Sequence, residues 1–546
     1  MLSLGTLMKT INMKVENKKA AVFRNEKGSA IAYALVIIVM ISILLSSMVQ
    51  FIVNNSKSAY QTQSKEEAFQ IAEAGVNFYR WYLAHETDGR TAMQIRDFWQ
   101  GTSPDPYGLR NNSPYERDYV DAQGGVLGKY SIETSAPDPS STIVYVAVTG
   151  WTSKYPAIKR TINVRFRRPS WSEDSVLAND FMRFGEGTTV NGKIHSNSGI
   201  RFDGIATNVV SSSLSTYDDP DHTGGSEFGV HTHVNAPPAS GINDNQRPSE
   251  APPSVVSPRI DVFKAGRDFP TPQVDFASVV SDISFMRSQA TVKFDNSGAG
   301  RRIILKADGN FNSCKVNSYS VYNPIGYTGS SGITDYNGVI TGASGSYAST
   351  NGLSCVTVDC CDAGSCSLIQ ASKPSKGKCI SITSGVIPNG GIIFVANNLW
   401  LEGTISGKKV SFVAAELSDE PGYTGGNKNV FLGMNNLRYT NHDGNDIIGV
   451  IAQEDVEVIK DSLNDLFIDG ALLAKGGRVG RYYYGNSKNS ITVNGSIATY
   501  ARYGFAYTDG TGYQTRNLDF DNNLLYFPPP YFPTGTQYSI DSWEED

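Results

Sequence analysis

The sequence predicts an α+β to mainly β protein: one long N-terminal helix, a small antiparallel β head, then a parallel β-helix-like solenoid with a disulfide-stapled insertion. Three observations predict it. Residues 30–48 read AIAYALVIIVMISILLSSM without a single charge, and residues 64–83, SKEEAFQIAEAGVNFYRWYL, continue as an amphipathic helix. The chain holds 53 Gly in 546 residues, above the roughly 7% average, and its β-branched residues come in short bursts closed by Asn-Gly, Ser-Gly or Asp-Gly. All six cysteines lie together: Cys314, Cys355, Cys360, Cys361, Cys366 and Cys379.

The N-terminal element comes first. The leader, residues 1–28, carries six Lys and Arg against two Glu. The apolar run after it is long enough for a hydrocarbon core of about 30 Å at about 1.5 Å per residue. It is too long for an ordinary secretory signal, and it runs on into helix where a cleavage site would stand. The basic leader predicts a cytoplasmic start. Beyond the run, Phe69, Ala72, Val76, Tyr79 and Leu83 recur at helical spacing, while Lys65, Glu66, Gln70, Asn77 and Arg80 occupy other faces. That stripe predicts a face gripped by the domain that follows.

Residues 86–170 form the predicted β head. Residues 129–137, 142–152 and 158–169 alternate apolar and polar side chains between Pro, Ser, Asp and Gly turns. Residues 171–234 and 390–515 form the predicted solenoid. Their bursts recur, and VNGKI (190–194) and VNGSI (493–497) are near copies. A β-sandwich is the alternative. Residues 235–389, Pro/Ser-rich and then Gly/Ser-rich around the cysteines, read as an insertion between the two blocks. Residues 516–546, with their YFPPPYFP stretch, read as a C-terminal cap on the last coil.

An even, clustered set of cysteines in an exported chain points to disulfides, with the pairing left open. No C-x-x-C pair and no nearby His favour a metal at the cysteines. His231 and His233, two apart on a strand, share one face, and His195 is the third ligand such a site would recruit. The turns YDDPDHTGG (217–225) and DFDNN (519–523) are the acidic turns with calcium-like composition. Neither set carries a full metal signature, so no metal, cofactor or catalytic residue is assigned. Asp443, Asp446, Asp455, Lys460 and Asp461 are the acidic and basic groups a glycan-cleaving groove would draw on. No catalytic motif selects them. The chain is acidic, with net charge −6 and no basic tract after the leader, which excludes an electrostatic nucleic-acid surface.

Gly-Ser-Ala-Ile-Ala (28–32) followed by the apolar run, then AFQIAEAG (68–75), resembles the PilX-type minor pilins over roughly residues 20–85. The resemblance implies that a prepilin peptidase cuts between Gly28 and Ser29 and that Ser29 becomes the N-methylated first residue. Met8 or Met13 then fits a shorter leader. It also implies pilin or pseudopilin subunits as partners, insertion in the cytoplasmic membrane, and a body exported to the cell surface or pilus. Major pilins carry Glu at the fifth mature position, where it neutralises a neighbour's N-terminal ammonium. Tyr33 stands there in this chain. An unpaired charge in hydrocarbon is costly, so the resemblance implies a tip or low-abundance subunit, not a repeating one. The head would then serve assembly initiation or adhesion, with a surface glycan or protein as its ligand. A single-pass surface protein whose β-helix binds or cleaves polysaccharide is the second reading.

Overall fold

The computed structural model describes residues 29–546 apart from 102–104, 106, 111–113, 138–141, 245–246, 249, 277–279, 299, 317, 322–335, 342–379 and 461. Helix α1 (Ser29–Thr87) is one unbroken element, about 88 Å long at about 1.5 Å per residue. A short helix α2 (Ala92–Trp99), started by a capping box of Thr91 and Gln94, follows it.

Four strands come next: β1 (Tyr115–Val120), β2 (Val126–Ser135), β3 (Ile143–Thr152) and β4 (Lys159–Arg167). They pair antiparallel in that order. The alternation of Ile162, Val164 and Phe166 places these three inside. They meet Ile71, Ala72, Val76, Tyr79 and Leu83 of α1 in one apolar cluster, with Phe69 half-buried at its edge. The predicted stripe is the gripped face, widened by Ala68 and Tyr82.

Small residues set the distance between helix and sheet. A Cβ on Gly150 of β3 would lie 2.3 Å from the Ala68 carbonyl oxygen and 2.5 Å from the Ala72 nitrogen. A Cβ on Gly75 would lie 2.6 Å from Val148 Cγ1. Ala68 and Ala72 of AFQIAEAG are therefore where α1 backbone meets strand backbone, and Gly75 is where it meets the Val148 and Tyr130 side chains.

Beyond the head, short strands stack in parallel register. One ladder joins Val292–Phe294, Gly391–Val395, Lys409–Ala414 and Ile447–Ala452 to the second half of Asp465–Ala474 and the end of Ser487–Thr499. It then continues through Val176–Ala178, Ile194–Ser196, Val210–Ser212 and Arg267–Asp268. A second ladder joins Gly300–Leu305, Leu399–Ile405 and Leu437–Tyr439 to the first half of Asp465–Ala474, then Ser487–Thr499, Gly512–Phe520, Thr188–Asn191 and Ile205–Ala206. A third face carries Val430–Leu432, Val456–Val458 and Val479–Gly480, and separately Met182–Phe184, Ile200–Phe202 and Val230–His231.

The two near-copy segments stack in one column. Ile468, Val493, Leu518 and Val190 lie in register on consecutive rungs, all buried. At the corner after them Gly470 and Gly495 have φ of +145° and +153°, and a Cβ on Gly495 would meet the Gly470 oxygen at 2.0 Å. Only glycine turns that corner. A neighbouring corner is held by side chains: Asn398 Oδ1 accepts from the Asn429 amide, Asn429 Oδ1 from Asp455, and Asp455 Oδ1 from Arg478. Each satisfies a backbone donor that the turn leaves unpaired.

Two expectations are corrected. Residues 235–389 are not simply an insertion, because Arg267–Asp268, Val292–Phe294 and Gly300–Leu305 are rungs of the stack, and Val280–Gln289 packs on its outer apolar cluster through Ile283 and Met286. The chain enters the stack in its middle at Val176, runs to one end, crosses, and winds back from the other. Second, the tail does not end as a cap on a coil. Leu524 and Phe532 pack on the stack, and Ser539–Glu545 then pairs antiparallel with β4 as the fifth strand of the head sheet. Arg165 Nε meets Asp541 at 2.7 Å, and Trp99 Nε1 donates to Tyr538 Oη at 2.8 Å. The expected disulfide staples lie outside the described residues, which hold one of the six cysteines. Cys314 is buried in Asn310–Val316, and Cys355, Cys360, Cys361, Cys366 and Cys379 lie outside the described residues.

The close approach of α1 to β3 predicts a sharp size limit. Gly150→Ala should lower stability by ~1–3 kcal/mol through forced overpacking, read from denaturant midpoints of the full chain in detergent. Gly504→Ala, which meets nothing within 4 Å, should change it by less than ~0.5 kcal/mol.

Candidate functional site

Two features stand out from the scaffold. The first is the N-terminal half of α1. It is the helix among the described residues long and apolar enough to cross a membrane, with a mean hydropathy of 2.6 over its best window and none of that window buried. Residues 30–53 rise ~36 Å at about 1.5 Å per residue. Ser29 opens the described part of the helix, and Gly28 lies outside the described residues. Tyr33 is exposed on the same apolar surface. Where the helix reaches the head, Phe78 stacks on Trp81 and Tyr115, with Arg117 over its face at 4.6 Å. Trp81 and Tyr107 remain partly open to solvent there.

The second is a histidine cluster on the third face of the rung stack. His231 stands in register with Arg201 on the neighbouring strand, and Arg201 with Arg183 on the next. These side chains point away from the apolar interior, where Met182, Phe184, Ile200, Phe202 and Val230 are buried. A two-stranded loop, Thr216–Tyr217 paired with Glu227–Phe228, folds over them. It carries Asp219 and His222.

The rings converge. His231 and His233 centroids lie 5.2 Å apart and those of His222 and His233 4.9 Å. One ligand atom from each of Asp219, His222, His231 and His233 falls within 4.8 Å of the others. All four side chains are buried. His233 Nδ1 faces the Asn243 carbonyl at 2.9 Å and His222 Nδ1 the Thr223 carbonyl at 3.1 Å. With Nδ1 protonated in each, Nε2 presents a lone pair. His233 Nε2, His222 Nε2, both nitrogens of His231 and Asp219 Oδ2 have no hydrogen-bond partner. His231 Nε2 and Asp219 Oδ2 are 3.4 Å apart, and His222 Nε2 and Glu227 Oε1 3.2 Å, without hydrogen-bond alignment.

The charges around the cluster set its protonation. Burial, reinforced by the Arg201 guanidinium, pushes the His233 pKa down to about 4, so the ring is neutral at neutral pH. Burial works against an ionised Asp219, but the His231 ring and the Asp221 amide outweigh it and hold that carboxyl well below the usual range. Arg201 is already engaged: its Nε donates to Asp203 at 2.8 Å and its Nη2 to Asp244. Asp203 in turn accepts from the His233 amide at 2.8 Å.

Against the expectation from sequence, His195 is not part of this group. It sits on the first ladder, with Nδ1 3.0 Å from Ser211 Oγ. Asp219 and His222, both inside the 217–225 turn, take the place expected of it. The turn at 519–523 does local work: Asp519 accepts from Asn191, and Asp521 caps Asn522–Leu525. The described acidic groups weighed for a groove each make local hydrogen bonds. Asp446 accepts from the Thr440 and Asn441 amides, Asp443 closes a turn with Asn445, and Asp455 sits in the corner ladder with Tyr482 Oη at 2.9 Å. Asp461 lies outside the described residues.

No family model matches the chain, and no curated protein matches it. Among solved structures it is similar to the competence-associated pilin ComZ from Thermus thermophilus, at 10% identity over 88% of this chain and 98% of that one, with a TM-score of 0.27. A likeness that loose carries no argument about fold or role.

Two measurements follow from the buried charges. Arg201→Leu strips buried Asp203 of its charged partner and should cost ~3–5 kcal/mol in denaturant unfolding. Glu457, enclosed beside Tyr482 and Tyr484, is pushed by burial from 4.5 up to about 8. Unfolding then releases a proton at intermediate pH, so Glu457 makes stability fall as pH rises between those values and level off above. Glu457→Gln should flatten that slope in unfolding curves taken from about pH 5 to about pH 8.5.

Proposed function

We propose that this chain is a minor pilin or pseudopilin of the PilX type, a tip or low-abundance subunit of a type IV pilus-like filament. The observation that carries the reading is the division of one continuous helix. Its first half is apolar and uncovered, and its second half is locked by small residues onto an antiparallel sheet. A membrane anchor alone needs only the first half. A subunit that leaves the bilayer and carries a folded head into a filament needs both halves in one rigid rod.

In this reading a prepilin peptidase cuts between Gly28 and Ser29, and the new N-terminus is methylated. The apolar half is held by the cytoplasmic membrane before assembly and by the helices of other pilin subunits after it. Tyr33, in place of a charge-pairing Glu, suits a subunit that offers no ammonium partner to a follower. The parallel β-helix is too bulky to repeat along a thin filament and suits its end, where it would start assembly or meet a surface glycan or protein. The half-exposed aromatic patch around Trp81 lies where a neighbouring head would touch. The role requires no catalysis.

Sequencing the mature N-terminus from membranes and from sheared filaments tests the reading. It expects a methylated Ser29 that depends on a prepilin peptidase. An intact leader in all material, indifferent to that peptidase, would overturn it and leave the membrane-anchored polysaccharide-binding protein as the better account.

A further inference from the structure

We propose that Asp219, His222, His231 and His233 form a closed, structural zinc site that fastens the Thr216–Phe228 loop to the rung stack. The donor set is three imidazole nitrogens and one carboxylate oxygen. Hard cations such as Ca²⁺ and Mg²⁺ take oxygen ligands, whereas imidazole with a carboxylate suits zinc. The set is complete in number for a tetrahedral ion, and every member is buried, which marks a structural site instead of an open catalytic one.

The independent observation is the state of the donors. Buried polar side-chain atoms nearly always find partners. Here five ring-nitrogen and carboxylate atoms of the four residues are buried and unpartnered, His222 Nε2, His231 Nδ1, His231 Nε2, His233 Nε2 and Asp219 Oδ2, and one atom from each residue lies within 4.8 Å of the others. Hydrogen bonding within the group does not resolve this, since the contacts between rings and carboxylates are misaligned. One cation accepting a lone pair from each residue engages four of these five atoms and leaves one His231 nitrogen over.

The surroundings are built for that ion. The Nδ1 atoms of His222 and His233 face backbone carbonyls, the outer contact that fixes tautomer and ring orientation in metal-ligating histidines. Asp219 Oδ1 is held by the Asp221 amide at 3.0 Å, which leaves Oδ2 turned inward. The Arg201 guanidinium uses Nε and Nη2 on Asp203 and Asp244, and its Nη1 lies 3.9 Å from Asp219 Oδ2, beyond hydrogen-bond reach. The ligands come from two sources, His231 and His233 from the stack and its exit, Asp219 and His222 from the loop. Apart from the Tyr217–Glu227 pairing the loop has little regular structure of its own, so the ion is the natural fastener.

The test uses the full chain in detergent, stripped with a chelator and then titrated with Zn²⁺, Ca²⁺ or Mg²⁺ separately. One equivalent of Zn²⁺ should bind, with neither Ca²⁺ nor Mg²⁺ competing. Co²⁺ at the same site should give the intense visible absorption of a tetrahedral centre. His233→Ala and His222→Gln should each weaken Zn²⁺ binding on the order of 100-fold, and His195→Ala should leave it unchanged. His222 lies in the loop, outside the rungs, so its variant tests the site with the stack intact by circular dichroism. Bound Zn²⁺ should also protect 216–228 from limited proteolysis. Failure of the unaltered chain to bind one equivalent, binding indifferent to His222→Gln, or binding that leaves the loop equally cleavable would each overturn the proposal.

Discussion

The apolar surface of α1 from Ile31 to Val53, which no other described residue covers, constrains everything downstream of it. A helix satisfies its own backbone donors and acceptors, so this segment can enter hydrocarbon without penalty. It cannot stay in water as a patch of that size. Whatever covers it, lipid or like helices, must tolerate the rest of the molecule attached rigidly to its end. The second half of the same rod is therefore packed so closely on the sheet that Gly150 and Gly75 admit no Cβ. A looser contact would let the head swing on the rod.

The rest of the chain is tied back to that contact. The C-terminal strand Ser539–Glu545 leaves the rung stack and completes the head sheet beside β4. Arg96 of α2 covers Tyr531 at 4.1 Å and Phe285 at 5.1 Å. The stack itself closes through pairs remote in sequence, 176–178 against 497–499 and 188–191 against 516–519. Head and stack are thus linked at both ends of the stack's chain segment, and a load on the stack passes to the helix by more than one connection.

Much of this was legible in residues whose signal is local. The stripe Phe69, Ala72, Val76, Tyr79 and Leu83 marks its face by period alone. The alternation of Ile162, Val164 and Phe166 marks a one-sided sheet. VNGKI and VNGSI are alike because both turn the same corner of the stack, with Leu518 between them in the column. What stayed hidden depends on distance in sequence. No pattern in Val292–Phe294 tells that it stacks on Gly391–Val395, so a rung region read as an insertion. Nothing in SIDSWEE points to β4, some 380 residues earlier. The histidine site is half visible: His231 and His233 declare a shared face, but nothing in the sequence separates His195 from the residues that join them. Asp219 and His222, three apart in a turn just upstream, join them because a short loop can fold back over its own strand.

In the proposed filament the uncovered half of α1 lies among helices of its own kind. A photo-crosslinking amino acid placed at Leu45, within that half, reports on its neighbours directly. The account predicts crosslinks to the N-terminal helices of other pilin subunits in sheared filaments, and crosslinks to lipid in the membrane fraction before assembly. Crosslinks to lipid alone, with the chain missing from sheared filaments, would contradict it.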